Sequence, residues 1–169
     1  LQIGIKLTNE PPKGLKANLA RIYVDMKDNT FQDCAKTEAY KTLTYGVAFF
    51  HPVIMERRKF GALGWNIPYE WTVSEFQISI KMLKNYLEEN DQLPLRILNY
   101  VTSVVNYGGR ITDAQDIRIA DTILSTYYCE EALVDGFSMS EDNIWKMPND
   151  ADLQTLEGVR SFIGTMPME

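Results

Sequence analysis

The sequence has one histidine, two cysteines and no long apolar run. Each scarcity excludes a class of function. Cys34 and Cys129 stand far apart with no Cys-x-x-Cys spacing, and one histidine cannot complete a zinc site with them. Reduced, buried thiols of a cytosolic protein are the expectation. No stretch reaches the length needed to span a bilayer, and the N-terminus lacks a signal-peptide pattern. The phosphate-cradling loop Gly-x-x-x-x-Gly-Lys-Ser/Thr is missing. Basic residues are outnumbered, 17 against 23 acidic, for a net charge of -6, which argues against a general nucleic-acid surface.

What remains is an ordinary globular balance, 45% hydrophobic and 24% charged over 169 residues, enough for one well-buried core. The periodicity is helical. From Thr37, read as an N-cap, apolar side chains recur at Tyr40, Leu43, Val47, Phe50 and Ile54, one stripe of an amphipathic helix. Pro52 lies inside it and predicts a kink. The charged run Glu56-Arg57-Arg58-Lys59 comes next. Phe60-Gly61 and Leu63-Gly64 then stop the helix, and a loop from Trp65 to Trp71 around Pro68 carries enough aromatic surface to clamp onto a core.

Before this helix, Ile3, Ile5 and Leu7 alternate as a short strand, and Pro11-Pro12 break it. Leu15, Leu19, Ile22 and Met26 mark a helix, and a short helical piece passes Phe31 and Cys34. After the loop, Thr72-Val73-Ser74-Glu75 is a capping box opening a helix with Val73, Phe76, Ile80, Leu83 and Leu87 inward. Pro94 starts another, with Leu95, Leu98, Val101 and Val105 inward and Gly108-Gly109 as its stop. Thr112-Asp113-Ala114-Gln115 reads as a second box before Ile117, Ala120, Leu124 and Tyr127. Regularity fades from Gly136 to Met147. Asn149 is placed to cap a last helix through Leu153, Leu156, Val159 and Ile163.

Three strings carry a family resemblance: NEPPKGLKANL (9–19), FFHPVIMERRKFGALGWNIPYEW (49–71) and NYGGRITD (106–113). In this order they resemble the lid of the sixth AAA+ module of dynein heavy chains, the first in its axonemal form. Pro52 departs from the pattern, which usually has a small residue there. The resemblance implies a mainly α fold, an AAA+ lid-type helical bundle with a short N-terminal strand remnant and a C-terminal helical extension. Residues 1–12 would end the large subdomain, 13–135 form the lid, and 136–169 lead toward the C-terminal domain. A chain that opens in strand character without an initiator methionine fits an excised piece.

It further implies a non-catalytic element of an ATP-driven microtubule motor in the axoneme of a cilium or flagellum. The lid would pack against neighbouring AAA+ modules and the C-terminal domain of its own chain. The parent complex would add dynein intermediate and light chains and microtubules, with no nucleic acid and no membrane. No cofactor is expected in this piece; ATP and magnesium would belong to other modules. Glu56, Arg57, Arg58, Trp65, Tyr69, Gly108, Gly109, Arg110 and Asp113 stand as structural or interdomain positions. For the charged run, salt bridges are favoured over solvent exposure. Arg110 is the one weak candidate for a nucleotide contact; the preferred alternative pairs it with Asp113 or Asp116. His51 is read as packed and hydrogen-bonded, without catalytic duty. Two other functions remain open at this point: a nucleotide-contacting half-site, with Arg110 and the Arg57-Arg58-Lys59 cluster on phosphates, and a free-standing helical adaptor.

Overall fold

A computed structural model describes residues 13–32 and 34–167. The strand expected at 1–7 and the Pro11-Pro12 hinge fall outside them. The described residues form a helical bundle built around α3 (Thr37–Glu56), against which α1 (Leu15–Asp25), α2 (Asp28–Gln32), α4 (Val73–Glu89) and α6 (Ala114–Ser125) pack. Two shorter helices, α5 (Leu95–Tyr100) and α7 (Leu156–Thr165), complete it.

The five stripe residues of α3 are all buried, and so is its opposite face: every residue from Tyr40 to Pro52 is inside. A helix apolar on one side alone would sit at the surface; this one is core on all sides. Its polar residues are accommodated individually. The buried Lys41 ammonium donates to the Gln154 carbonyl at 3.0 Å and lies 4.8 Å from the centre of the Phe31 ring, and burial lowers its pKa. The helix runs through Pro52 as one element. Thr37 is its first residue, not its cap: the capping position is Lys36, and the Thr37 hydroxyl donates backward to the Cys34 carbonyl at 2.8 Å.

The capping box of α4 forms as expected. Thr72 Oγ1 accepts from the Ser74 amide at 3.3 Å, and Glu75 Oε2 accepts from the Thr72 amide at 2.7 Å. Phe76, Ile80, Leu83 and Leu87 are buried, whereas Val73, in the first turn, is 39% exposed.

The next helix departs from its expected face. After α5, residues Val101–Asn106 form a π-helix, whose i→i+5 bonding fits one extra residue into a turn. Leu98 stays buried, but the extra residue rotates the positions after it. Thr102 and Ser103 turn inward, Val101 is only half-buried, and Val105 is 55% exposed. Ser103 donates to the Asn99 carbonyl and to the Asp121 carboxylate, both at 2.7 Å, and Asn99 Nδ2 donates to the same carboxylate oxygen at 2.7 Å. These polar contacts hold the wide turn.

Asp113, not Thr112, caps α6: its Oδ1 accepts from the amides of Gln115 at 2.9 Å and Asp116 at 3.1 Å. Beyond α6, Ser138 and Lys146 form an isolated antiparallel bridge, and Met139 and Met147 enter the core. Asn149 caps only a short turn, accepting from the Asp152 amide at 2.9 Å, whereas Thr155 caps α7 by accepting from Gly158 at 3.0 Å. Leu153, Leu156, Val159 and Ile163 are buried in the same core as α3. The α7 helix lies antiparallel on α1: Lys16 Nζ donates to the Gly164 and Met166 carbonyls at 2.8 and 2.5 Å, and the Arg160 guanidinium to the Tyr23 carbonyl at 2.8 and 3.0 Å.

Candidate functional site

The second and third sequence strings, a helix and more apart in the chain, meet in one clasp. Trp65, Tyr69 and Trp71 are buried, and their ring centroids lie 5.4–6.0 Å apart in tilted and edge-on arrangements. Each indole nitrogen finds a carbonyl: Trp65 donates to Ile54 at 2.8 Å and Trp71 to Tyr107 at 3.1 Å. The loop is thereby tied to the end of α3 and to the glycine turn.

The anchor of the clasp is a residue that the sequence offered only as a possible partner for Arg110. Asp116 is fully buried in the first turn of α6. Its carboxylate accepts from the Asn66 amide at 3.1 and 3.0 Å, from the Ile67 amide at 3.4 Å and from the Tyr69 hydroxyl at 2.9 Å. A helix N-terminus favours negative charge, so position and donors act together. Asp113 closes the rim, accepting from Asn66 Nδ2 at 3.1 Å, while its own amide donates to Tyr69 Oη at 3.2 Å. The Asn66 contact and the α6 amides hold the Asp113 carboxyl below its ordinary range.

Arg110 pairs with neither aspartate. Its Nε donates to Glu75 Oε1, the carboxylate that also closes the capping box of α4. Burial pushes the Glu75 carboxyl up, but hydrogen bonds from Thr72 and Arg110 outweigh it and hold it lower than usual. Asn106 Nδ2 adds bonds to the Glu75 carbonyl at 2.7 Å and to Ser79 Oγ at 2.8 Å. A Cβ on Gly108 would sit a tight 3.0 Å from the Ser103 carbonyl oxygen, so a larger residue there would press on the π turn; one on Gly109 would meet open space.

The charged run is engaged within the domain. Glu56 accepts from the Gly14 amide at 3.1 Å, at the N-terminus of α1, and pairs with Lys59. Arg57 donates to the Gly64 carbonyl at 3.0 Å and lies 5.3 Å from the Trp65 ring centre. Arg58 pairs with Glu70 at 2.6 Å, but both side chains are largely exposed, and such a pair contributes little to stability. Glu56, Arg58 and Lys59 each have an ion-pair partner, but Arg58 and Lys59 remain exposed, so pairing and solvent exposure coexist here. Arg57 instead packs on an indole and a carbonyl.

His51 is buried as expected, sharing a 2.9 Å hydrogen bond between Nδ1 and the Tyr107 hydroxyl. Burial lowers its pKa from 6.5 to about 4, against an opposing pull from Glu75. Below about pH 6.5 the unfolded chain therefore takes up a proton that the folded chain refuses, and stability falls as pH drops toward 4. The carboxyls of Glu75 and Asp113, held low in the folded state, add losses only near and below their ordinary range, about pH 4. Urea unfolding at about pH 5 should therefore show roughly 2 kcal/mol less stability than at about pH 7. His51→Asn should remove most of that difference; an unchanged difference in the variant would assign it elsewhere.

No helix among the described residues is long and apolar enough to cross a membrane, and none of their His, Cys, Asp and Glu side chains gather in a group able to hold a metal ion. A family model described as "Dynein heavy chain AAA lid domain" matches residues 40–169, which includes the whole clasp. Among curated relatives, mouse (Mus musculus) dynein axonemal heavy chain 3 is 43% identical over 88% of this chain. The dynein-1-beta heavy chain of the flagellar inner arm I1 complex of Chlamydomonas reinhardtii is 41% identical over 99% of it. Human dynein axonemal heavy chain 2 is 39% identical, also over 99%. The chain spans about 4% of the length of these relatives. By its matched length and these identities, the chain belongs to the dynein heavy chain AAA lid domain family.

Proposed function

We propose that this chain is the lid of the sixth AAA+ module of an axonemal dynein heavy chain, a rigid coupling element without chemistry of its own. The parent would be an ATP-driven, microtubule-based motor of a cilium or flagellum. Its ATP and magnesium would be held by other modules, and its lids would pack against neighbouring modules and the C-terminal domain. Intermediate and light chains would complete the complex.

One observation supports the reading: Arg110, the one weak candidate for a phosphate contact, is used internally. Arg110 is bound to Glu75, and Glu75 caps α4. The pair joins the glycine turn to α4, so the α4–α6 half of the lid responds as one block. In the parent motor, Arg110→Ala should leave the KM for ATP unchanged while lowering microtubule gliding velocity, because stiffness is lost and no phosphate contact is. A raised KM for ATP, with Mg-ATP binding weakened in the intact module, would instead make Arg110 part of a nucleotide half-site.

A further inference from the structure

Away from the clasp, a groove of about 530 Å³ opens between the α1–α2 corner and α4. Its floor is apolar, made by Ile22, Met26, Phe76 and Ile80. On the α4 side it follows positions 73, 76, 77, 80, 81, 84 and 85, one face over roughly three turns, or about 18 Å. A row of anchors spaced along one face of a helix matches an apolar groove of that length.

The rim has a sign of its own. Lys27 on one side and Lys81 on the other are exposed and make no ion pair among the described residues, in a chain of net charge -6. Lys84, next along the groove, has Glu88 at 3.9 Å. Among the described residues lining the groove, the one carboxylate is Asp25, which has Arg21 at 3.9 Å. Val73, 39% exposed, forms an apolar lip at one end.

We propose that this groove receives an acidic amphipathic helix from elsewhere in the assembled motor, its apolar row in the slot and its carboxylates between Lys27 and Lys81. Charge of this kind governs register and choice of partner more than bare affinity. The proposal rests on the lid reading above, and the test keeps the two apart. The parent motor is treated with a carbodiimide, which joins carboxylates to amines in contact, and the products are mapped by mass spectrometry. Lys27 and Lys81 are expected to join acidic residues of a single helical segment outside 13–167, and both should resist acetic anhydride in the motor but not in this chain alone. Lys27→Gln with Lys81→Gln should abolish the cross-link. Links scattered over several segments, or equal acetylation in both samples, overturn the proposal. Radical footprinting of Phe60 and Leu63, which are 67% and 90% exposed and lie off the groove, reports on lid packing separately. Protection there with free lysines rejects the groove and keeps the lid; exposure at both sites rejects the lid reading too.

Discussion

Asp116→Ala is expected to remove on the order of 3 kcal/mol of folding stability, because hydrogen bonds to a carboxylate are lost and a buried hydroxyl is left without its acceptor. The carboxylate is the shared acceptor for two loop amides and the Tyr69 hydroxyl. Its loss leaves the buried Tyr69 hydroxyl and two part-buried amides without their acceptor, which costs more than the bonds themselves contribute. Globular domains are stable by about 5–15 kcal/mol, so a large share of the total is at risk. The effect should be local before it is global. Near-ultraviolet circular dichroism from the packed Trp65 and Trp71 rings should weaken below the unfolding transition, while the far-ultraviolet helical signal persists. Asp116→Asn should fall in between, because the amide keeps one acceptor but turns a donor toward donors. A urea midpoint within experimental error of the parent chain for Asp116→Ala would mean that the loop is held by its rings alone.

Gly64→Ala should be comparably damaging, roughly 3 kcal/mol or more, for a different reason. The backbone of Gly64 is unstrained, with φ -90° and ψ -57°, values open to any residue. The obstacle is proximity: a Cβ there would lie 1.8 Å from the carbonyl oxygen of Arg57 and 2.7 Å from its carbon. Those atoms are backbone and cannot swing aside. They belong to the 3-10 segment Arg57–Leu63, whose first residue also donates its guanidinium to the Gly64 carbonyl. Gly61 supplies the contrast. It has φ 54° and ψ -134°, a region outside the left-handed helical basin that favours glycine, with open space around it, so Gly61→Ala should cost only the backbone strain, on the order of 1–3 kcal/mol. Thermal unfolding of the two variants, compared through tryptophan fluorescence, separates close approach from backbone freedom. Equal losses would deny the distinction.

Local features are readable from the sequence because their causes are local. Thr72 and Glu75 lie three residues apart, and the box they predict is the box that forms. Tryptophans crowded around Pro68 announce a clamped loop. The position of α4's buried stripe comes from spacing alone, apart from Val73 in the capped first turn, which is 39% exposed. Asp116 is not legible in the same way, since an aspartate in the first turn of a helix is ordinary. What sets it apart is that its donors come from Asn66, Ile67 and Tyr69, far away in the chain. The Arg110–Glu75 pair has the same character: both nearby aspartates are plausible in sequence, and a distant glutamate is nearer in space. Thr112 and Asp113 compete for one cap, and no spacing rule decides between adjacent residues. A stripe of five apolar residues understates the burial of α3, whose other faces carry tyrosine, alanine and phenylalanine into the core as well. A period of 3.6 points Val105 inward, and the π turn changes that period where polar contacts to Asp121 reward it.

The antiparallel seating of α7 on α1 has a mechanical corollary. The beginning of α1 and the end of α7 lie side by side, stapled by Lys16, while Arg160 holds the pair farther along. Tension applied through the backbone at these two points would pull them apart as a zipper opens, loading the Lys16 bonds first and the Arg160 bonds only after they yield. Parallel rows of contacts that share a load resist far more force than contacts broken one after another. A domain built this way is poorly suited to carry traction along its own backbone. Compression or shear through its faces would not break these contacts one after another.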